Sequence, residues 1–182
     1  YQSGTMLETS PGLRKKILAY LALDLWGRQL HQVHHNQLVT VLEKMEPGIF
    51  SGIDKERVDL ELRTAAFLIR SREGDYTFSH KSFREFFFAR HILSCVKKGW
   101  QPLAKAMETA PITPECAEFF CDLIRHGQNN GSSGQKEIFD PVRSATQNIL
   151  GAPFRRRVSE NTLLLAYYCA GFISRHIEDG AD

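Results

Sequence analysis

The sequence predicts a mainly α-helical chain interrupted once by a β-hairpin. Apolar residues recur at three- and four-residue spacings both before Phe67 and after His80, the period of a helix that buries one face. Between them the period drops to two, at Tyr76, Phe78 and His80, just after the turn-forming run Arg72-Glu73-Gly74-Asp75. The 42% apolar and 24% charged fractions lie close to globular averages, so the helices have a core to bury. At 182 residues, one or two compact units are expected.

Taken in order, Ser10 and Pro11 suit the N-cap and first position of a helix. Leu13, Ile17, Leu21 and Leu25, with Tyr20 beside them, predict an amphipathic helix ending near Gly27. Asn36 suits the cap of a second helix in which Leu38, Val41, Leu42 and Met45 share a face, stopped by Pro47-Gly48. Asp54 opens a third, carrying Val58 and Leu62. Phe67, Leu68 and Ile69 form the first strand of the hairpin, and Tyr76 to His80 the second. From Phe83, Phe86, Phe87 and Arg90 onward, helical spacing returns and runs to about Lys97–Gly99. Three helices, a two-stranded wing and a fourth helix make a winged-helix arrangement, an α-rich relative of the helix-turn-helix.

Everything after Trp100 reads as helix. Gln101 to Glu108 is one short element. Thr113-Pro114-Glu115 combines an N-cap, a first-turn proline and a first-turn acid ahead of Phe119, Phe120, Leu123 and Ile124. Gly127 to Gln135 is a polar linker, Asp140-Pro141 starts a helix to Leu150, and Ser159 to about His176 is the last. The expected organisation is therefore a winged-helix domain at 7–98 and an all-helical domain at 99–182. Residues 1–6 read as an expression scar, with Met6 a start methionine or an internal residue.

Composition excludes several classes of function. A net charge of +2 creates no strong field for nucleic acid or anionic lipid. No apolar run approaches the roughly 20 residues of a membrane span, so no membrane partner is expected. Cys95, Cys116, Cys121 and Cys169 form no CxxC pair and read as reduced core thiols of a cytoplasmic protein. No GxxxxGK[ST] occurs, so the chain is not expected to be an enzyme. The Gly127–Gly134 loop lacks the lysine ending of a phosphate loop. The third helix alternates Asp54, Glu56, Asp59 and Glu61 with Lys55, Arg57 and Arg63, an acidic face that repels a phosphate backbone. Nucleic acid is accordingly not an expected partner, and Arg155-Arg156-Arg157 reads as a solvated helix approach. His31, His34 and His35 crowd together but bring no further ligands, so no metal site is expected.

The densest chemistry lies in YTFSHKSFREFFFA, Tyr76 to Ala89. Tyr76, Phe78 and His80 would share one strand face. Ser82 and Glu85 have capping-box spacing, and Phe83, Phe86 and Phe87 are expected in the core, each contributing roughly 1.5–3 kcal/mol on burial. His80 then stands at a strand-to-helix junction, beside Lys81 and a positive helix end that suits an anion. On local chemistry alone, the simpler reading is a histidine that bonds a neighbouring backbone carbonyl inside the core.

This segment resembles the motif that ends the winged-helix domain of NACHT-type signalling NTPases. Tyr76, Phe78, His80, Ser82, Phe83, Glu85, Phe86, Phe87 and Ala89 match it position by position. Arg84 stands where glutamine is frequent, and Phe88 where a small residue is. The resemblance reaches more weakly from Pro11 to Lys97. It implies a regulatory part of a signalling ATPase, in defence or signalling, whose nucleotide-binding domain lies elsewhere in the parent chain. His80 would then sense the β-phosphate of ADP and hold an autoinhibited state. ATP or ADP with Mg would be the parent's cofactor, its own nucleotide-binding domain the partner, and homo-oligomerisation the activated form. The alternative class is a free-standing winged-helix protein-interaction module. A DNA-binding regulator is disfavoured by the acidic third helix.

Overall fold

A computed structural model describes residues 11–45, 56, 58, 59, 62, 66–128 and 144. They are mainly helical, with a small three-stranded antiparallel sheet. In chain order the elements are α1 (Pro11–Gly27), β1 (Val33–His34), α2 (His35–Met45), β2 (Leu68–Arg70), β3 (Asp75–Phe78), α3 (Lys81–Lys98), α4 (Trp100–Thr109) and α5 (Pro114–Gln128). Residues 56, 58, 59 and 62 are also helical, where the third helix is expected. Gly127 and Gln128, expected as the start of a linker, are instead the end of α5, and Ser144 is helical, as expected for the helix after Asp140. The expected cap at Ser10, the stop at Pro47-Gly48, the start at Asp54, the rest of the linker to Gln135, the remainder of the 140–150 helix, the helix from Ser159, Arg155–Arg157, Cys169 and the 1–6 segment lie outside the described residues.

Helix α1 is the hub. Its pattern suggests one buried face, yet Ile17 to Leu23 are all buried, as are Leu25 and Trp26. The reason is that α2, α3 and α4 all pack against it, and the alanines at 19 and 22 leave room for close approach. Helix α2 is one-sided as expected, with Leu38, Val41 and Leu42 buried. Its start differs from expectation. The helix begins at His35, and His34 Nδ1 accepts the Asn36 N–H at 3.3 Å, so Asn36 is not the cap.

The sheet has the order β1-β3-β2, one strand more than the two-stranded hairpin the sequence suggests. Val33 pairs with Tyr76 and His34 with Asp75, while Leu68 to Arg70 pair with Phe78 to Tyr76. The histidines that crowd together in sequence are spent on this junction. His34 Nε2 donates to the Glu73 carbonyl at 3.0 Å, and the His35 N–H donates to the Gly74 carbonyl, also at 3.0 Å. Thr77 Oγ1 donates to the His31 carbonyl at 2.9 Å. Gly74 has φ +95, and a Cβ there would lie 2.4 Å from His35 Nδ1. Only glycine lets the turn approach these rings so closely.

Helix α3 runs through the core. Phe87, Phe88, Ala89, Ile92, Cys95 and Val96 are buried along it, while Phe83 and Phe86 are only partly so. It ends at Gly99, whose φ of 109 and ψ of −175 turn the chain directly into α4. That backbone region is essentially reserved for glycine. Gly99→Ala is therefore expected to lower stability by about 2 kcal/mol, although nothing lies within 4 Å of the added methyl. A chemical denaturation midpoint unchanged from wild type would refute this. Helix α5 starts as the sequence suggests: the Cys116 N–H donates to Thr113 Oγ1 at 3.2 Å. Phe120, Ile124, Cys116 and Ala117 are fully buried on it, and Cys121 is buried beside them. One continuous core holds α1 through α5.

Candidate functional site at the start of helix α3

The chain enters α3 through Ser79 and His80. Ser79 is moored to the end of β2, its N–H donating to the Phe67 carbonyl at 2.9 Å and its hydroxyl to the same carbonyl at 3.1 Å. The Phe67 ring meets Phe83 and Phe87 edge-on, with centroids 5.0 and 5.3 Å apart. These contacts fix where the helix begins.

His80 itself lies past the last residue of β3, so it shares no sheet face with Tyr76 and Phe78. It is exposed, extended (φ −147, ψ 147), and it is the N-cap of α3. Its Nδ1 accepts the Ser82 N–H at 3.2 Å and stands 3.0 Å from Ser82 Oγ. Accepting from an amide requires that Nδ1 carry no proton. The neutral ring therefore holds its proton on Nε2, the nitrogen left to act as a donor. The expected Ser82–Glu85 capping box is not formed, because histidine takes the capping role two residues earlier.

The remaining motif residues divide by task. Tyr76 is fully buried, and its hydroxyl donates to the Asp59 carboxylate at 2.8 Å and to the Asp59 carbonyl at 3.0 Å. Arg70 lies over the Tyr76 ring at 5.8 Å and pairs with Asp59 at 3.6 Å. Tyr76 thus ties the sheet to the helical turn at Asp59. Phe78, Phe83, Phe86, Phe87 and Ala89 pack in or against the core. Arg84 stacks on Trp26, its guanidinium carbon 5.0 Å from the ring centroid, with Nε buried and no hydrogen bond among the described residues.

Two constellations escaped the sequence reading. Glu85 is the one buried charged side chain among the described residues. It accepts from the Thr113 hydroxyl at 2.9 Å and pairs with Lys81 at 3.3 Å. The second is His91 and Cys95, four residues apart on α3, with Nε2 3.3 Å from Sγ. An i,i+4 His–Cys spacing is visible in the sequence and could have been noticed. It is not a nucleophile–base pair. Burial, with help from the Lys98 charge, pushes His91 down to about 4, and burial pushes the Cys95 thiol up to about 11. Cys116 is driven up to about 12 by burial and then by the Glu85 charge. All three groups are neutral near pH 7, and a thiol that is not a thiolate is a poor nucleophile.

Among the described residues no three His, Cys, Asp or Glu side chains gather as a metal site, and no helix is long and apolar enough to cross a membrane. The start of α3 can offer an anion one imidazole N–H and the partial positive charge of an 18-residue helix. No protein-family model matches the chain, and neither a curated protein nor a solved structure does.

Proposed function

We propose that this chain is the regulatory winged-helix part, with the helical segment that follows it, of a NACHT-type signalling NTPase. In this reading it packs on the parent's nucleotide-binding domain and reports the nucleotide state through His80. The observation that carries the proposal is the exposed His80 cap, whose inner nitrogen is engaged by the helix and whose outer N–H is left for an acceptor. The strand order β1-β3-β2, with β1 between the first two helices, supports the winged-helix assignment. The match from Tyr76 to Ala89 supports the family.

The nucleotide and its Mg belong to the nucleotide-binding domain, which supplies the phosphate-transfer chemistry. The part of this chain is limited to one contact. His80 Nε2–H donates to a β-phosphate oxygen of ADP at the positive end of α3, which favours the closed, autoinhibited arrangement and opposes homo-oligomerisation. A hydrogen bond to a charged group contributes about 1.5–3 kcal/mol, a bias of roughly 10- to 150-fold in a closed-to-open ratio. In the parent protein, His80→Ala is expected to speed ADP release and raise basal activation by a factor in that range. Fluorescent-ADP dissociation and a basal oligomerisation assay measure the two effects. Wild-type values in both would end the nucleotide reading.

A second reading, a protein-interaction module with no nucleotide linkage, is favoured by one feature. Phe67 and Ile69 are 36% and 53% exposed, at and beside edge strand β2. A variant with wild-type ADP release that loses a protein partner on Ile69→Lys would support that reading instead.

A further inference from the structure

We infer that Glu85 is a positioning residue that ties the His80-bearing end of α3 to the first turn of α5, so that displacement of either end is felt at the other. The contacts run without a break. Lys81, the first residue of α3, pairs with Glu85 Oε1 at 3.3 Å, and the same oxygen accepts from Thr113 Oγ1 at 2.9 Å. Thr113 Oγ1 in turn accepts from the Cys116 N–H at 3.2 Å. The hydroxyl thus joins two tasks, capping α5 and satisfying a carboxylate that is only 1% exposed.

Chemistry makes this link stiff. A carboxylate at that depth is costly unless partners hydrogen-bond it. If the start of α5 moved off α3, Glu85 would lose its neutral donor and the Thr113 hydroxyl its acceptor, though Thr113 would still cap α5. If the start of α3 moved, Lys81 would be drawn from the same carboxylate. Aromatic contact reinforces the link, since Phe86 on α3 meets Phe119 on α5 edge-on with centroids 5.8 Å apart. Both helix ends therefore open together. The tie does not depend on which ligand His80 meets, so the chain by itself suffices for the test.

The measurement is amide hydrogen exchange on the chain, read at each helix end for substitutions made at the other. Thr113→Val removes the hydroxyl at α5. It is expected to speed exchange of the Ser82 and Phe83 amides at the start of α3, by about 10- to 150-fold for a lost bond to a charged group. Thr113→Ser, which keeps the hydroxyl, is expected to leave them at wild-type rates. Lys81→Met acts at an exposed side chain, and is expected to speed the Cys116 amide by about 2- to 5-fold. Acceleration confined to the helix that bears the substitution, in either variant, overturns the tie. Should Thr113→Val unfold the chain, Lys81→Met still decides.

Discussion

Replacing Phe88 with alanine is expected to lower stability by about 3–5 kcal/mol. Phe88 has no exposed surface and meets Trp26 of α1 at 5.1 Å between ring centroids. It fills the seam between α1 and α3, the two longest helices described, and α1 is itself enclosed on most sides. A cavity there cannot collapse easily, because the residues around it are held by α2 and α4 as well. For a chain of this size the loss corresponds to a fall in Tm of roughly 6–20 °C. Phe87→Ala belongs in the same range, since Phe87 is 2% exposed. Phe86, which the sequence places beside it in the core, is only partly buried against Phe87 and Phe119. Phe86→Ala should therefore cost clearly less. Thermal melts of the three variants check the order, and equal losses at Phe86 and Phe88 would contradict it.

The contrast between Phe86 and Phe88 shows what sequence patterns can and cannot carry. Local features were readable, because a local cause decides them. Thr113 caps α5 through a bond to an amide three residues on. The turn before Asp75 needs a glycine at Gly74 for its φ of +95, a cause set within the turn, although the close approach of His35 that also demands it was not legible. The end of α3 at Gly99 follows from the loss of apolar spacing there. What was missed depends on partners far along the chain. Strand β1 has two residues and exists because Val33 meets Tyr76, 43 positions later. Glu85 has the spacing of a capping box, but its partner is Thr113, 28 residues away, and that bond wins because burial makes an unpartnered carboxylate expensive. His80 shows both sides of this. Its place at a strand-to-helix junction follows from the change of period, whereas its capping role, which sets the tautomer, required the geometry of Ser82.

Acid is expected to remove about 3 kcal/mol of stability through His91 alone, over the interval in which the unfolded chain binds a proton and the folded chain does not. Burial, and secondarily Lys98, lowers His91 from 6.5 to about 4. Tyr20 meets the ring edge-on at 5.8 Å, and Cys95 Sγ stands 3.3 Å from Nε2, so neither neighbour supplies a negative charge to stabilise the imidazolium. Above pH 6.5 the group is neutral in both states and contributes no slope. Below it the unfolded state takes up the proton first, so stability falls as pH falls, by about 1.4 kcal/mol per pH unit, until the folded histidine also protonates near pH 4. The alkaline side has the opposite sense. Cys95 and Cys116 are raised from 9.0 to about 11 and about 12, so the stability they contribute is complete below pH 9 and is lost as pH rises through those values. A plateau between about pH 6.5 and 9 is the result. Denaturation of wild type and His91→Gln at pH 7 and pH 4.5 isolates the acid limb, because carboxylate contributions are common to both chains. The variant should show the shallower loss; parallel losses in the two would mean that His91 protonates freely in the folded state and that its contact with Tyr20 and Cys95 excludes no charge.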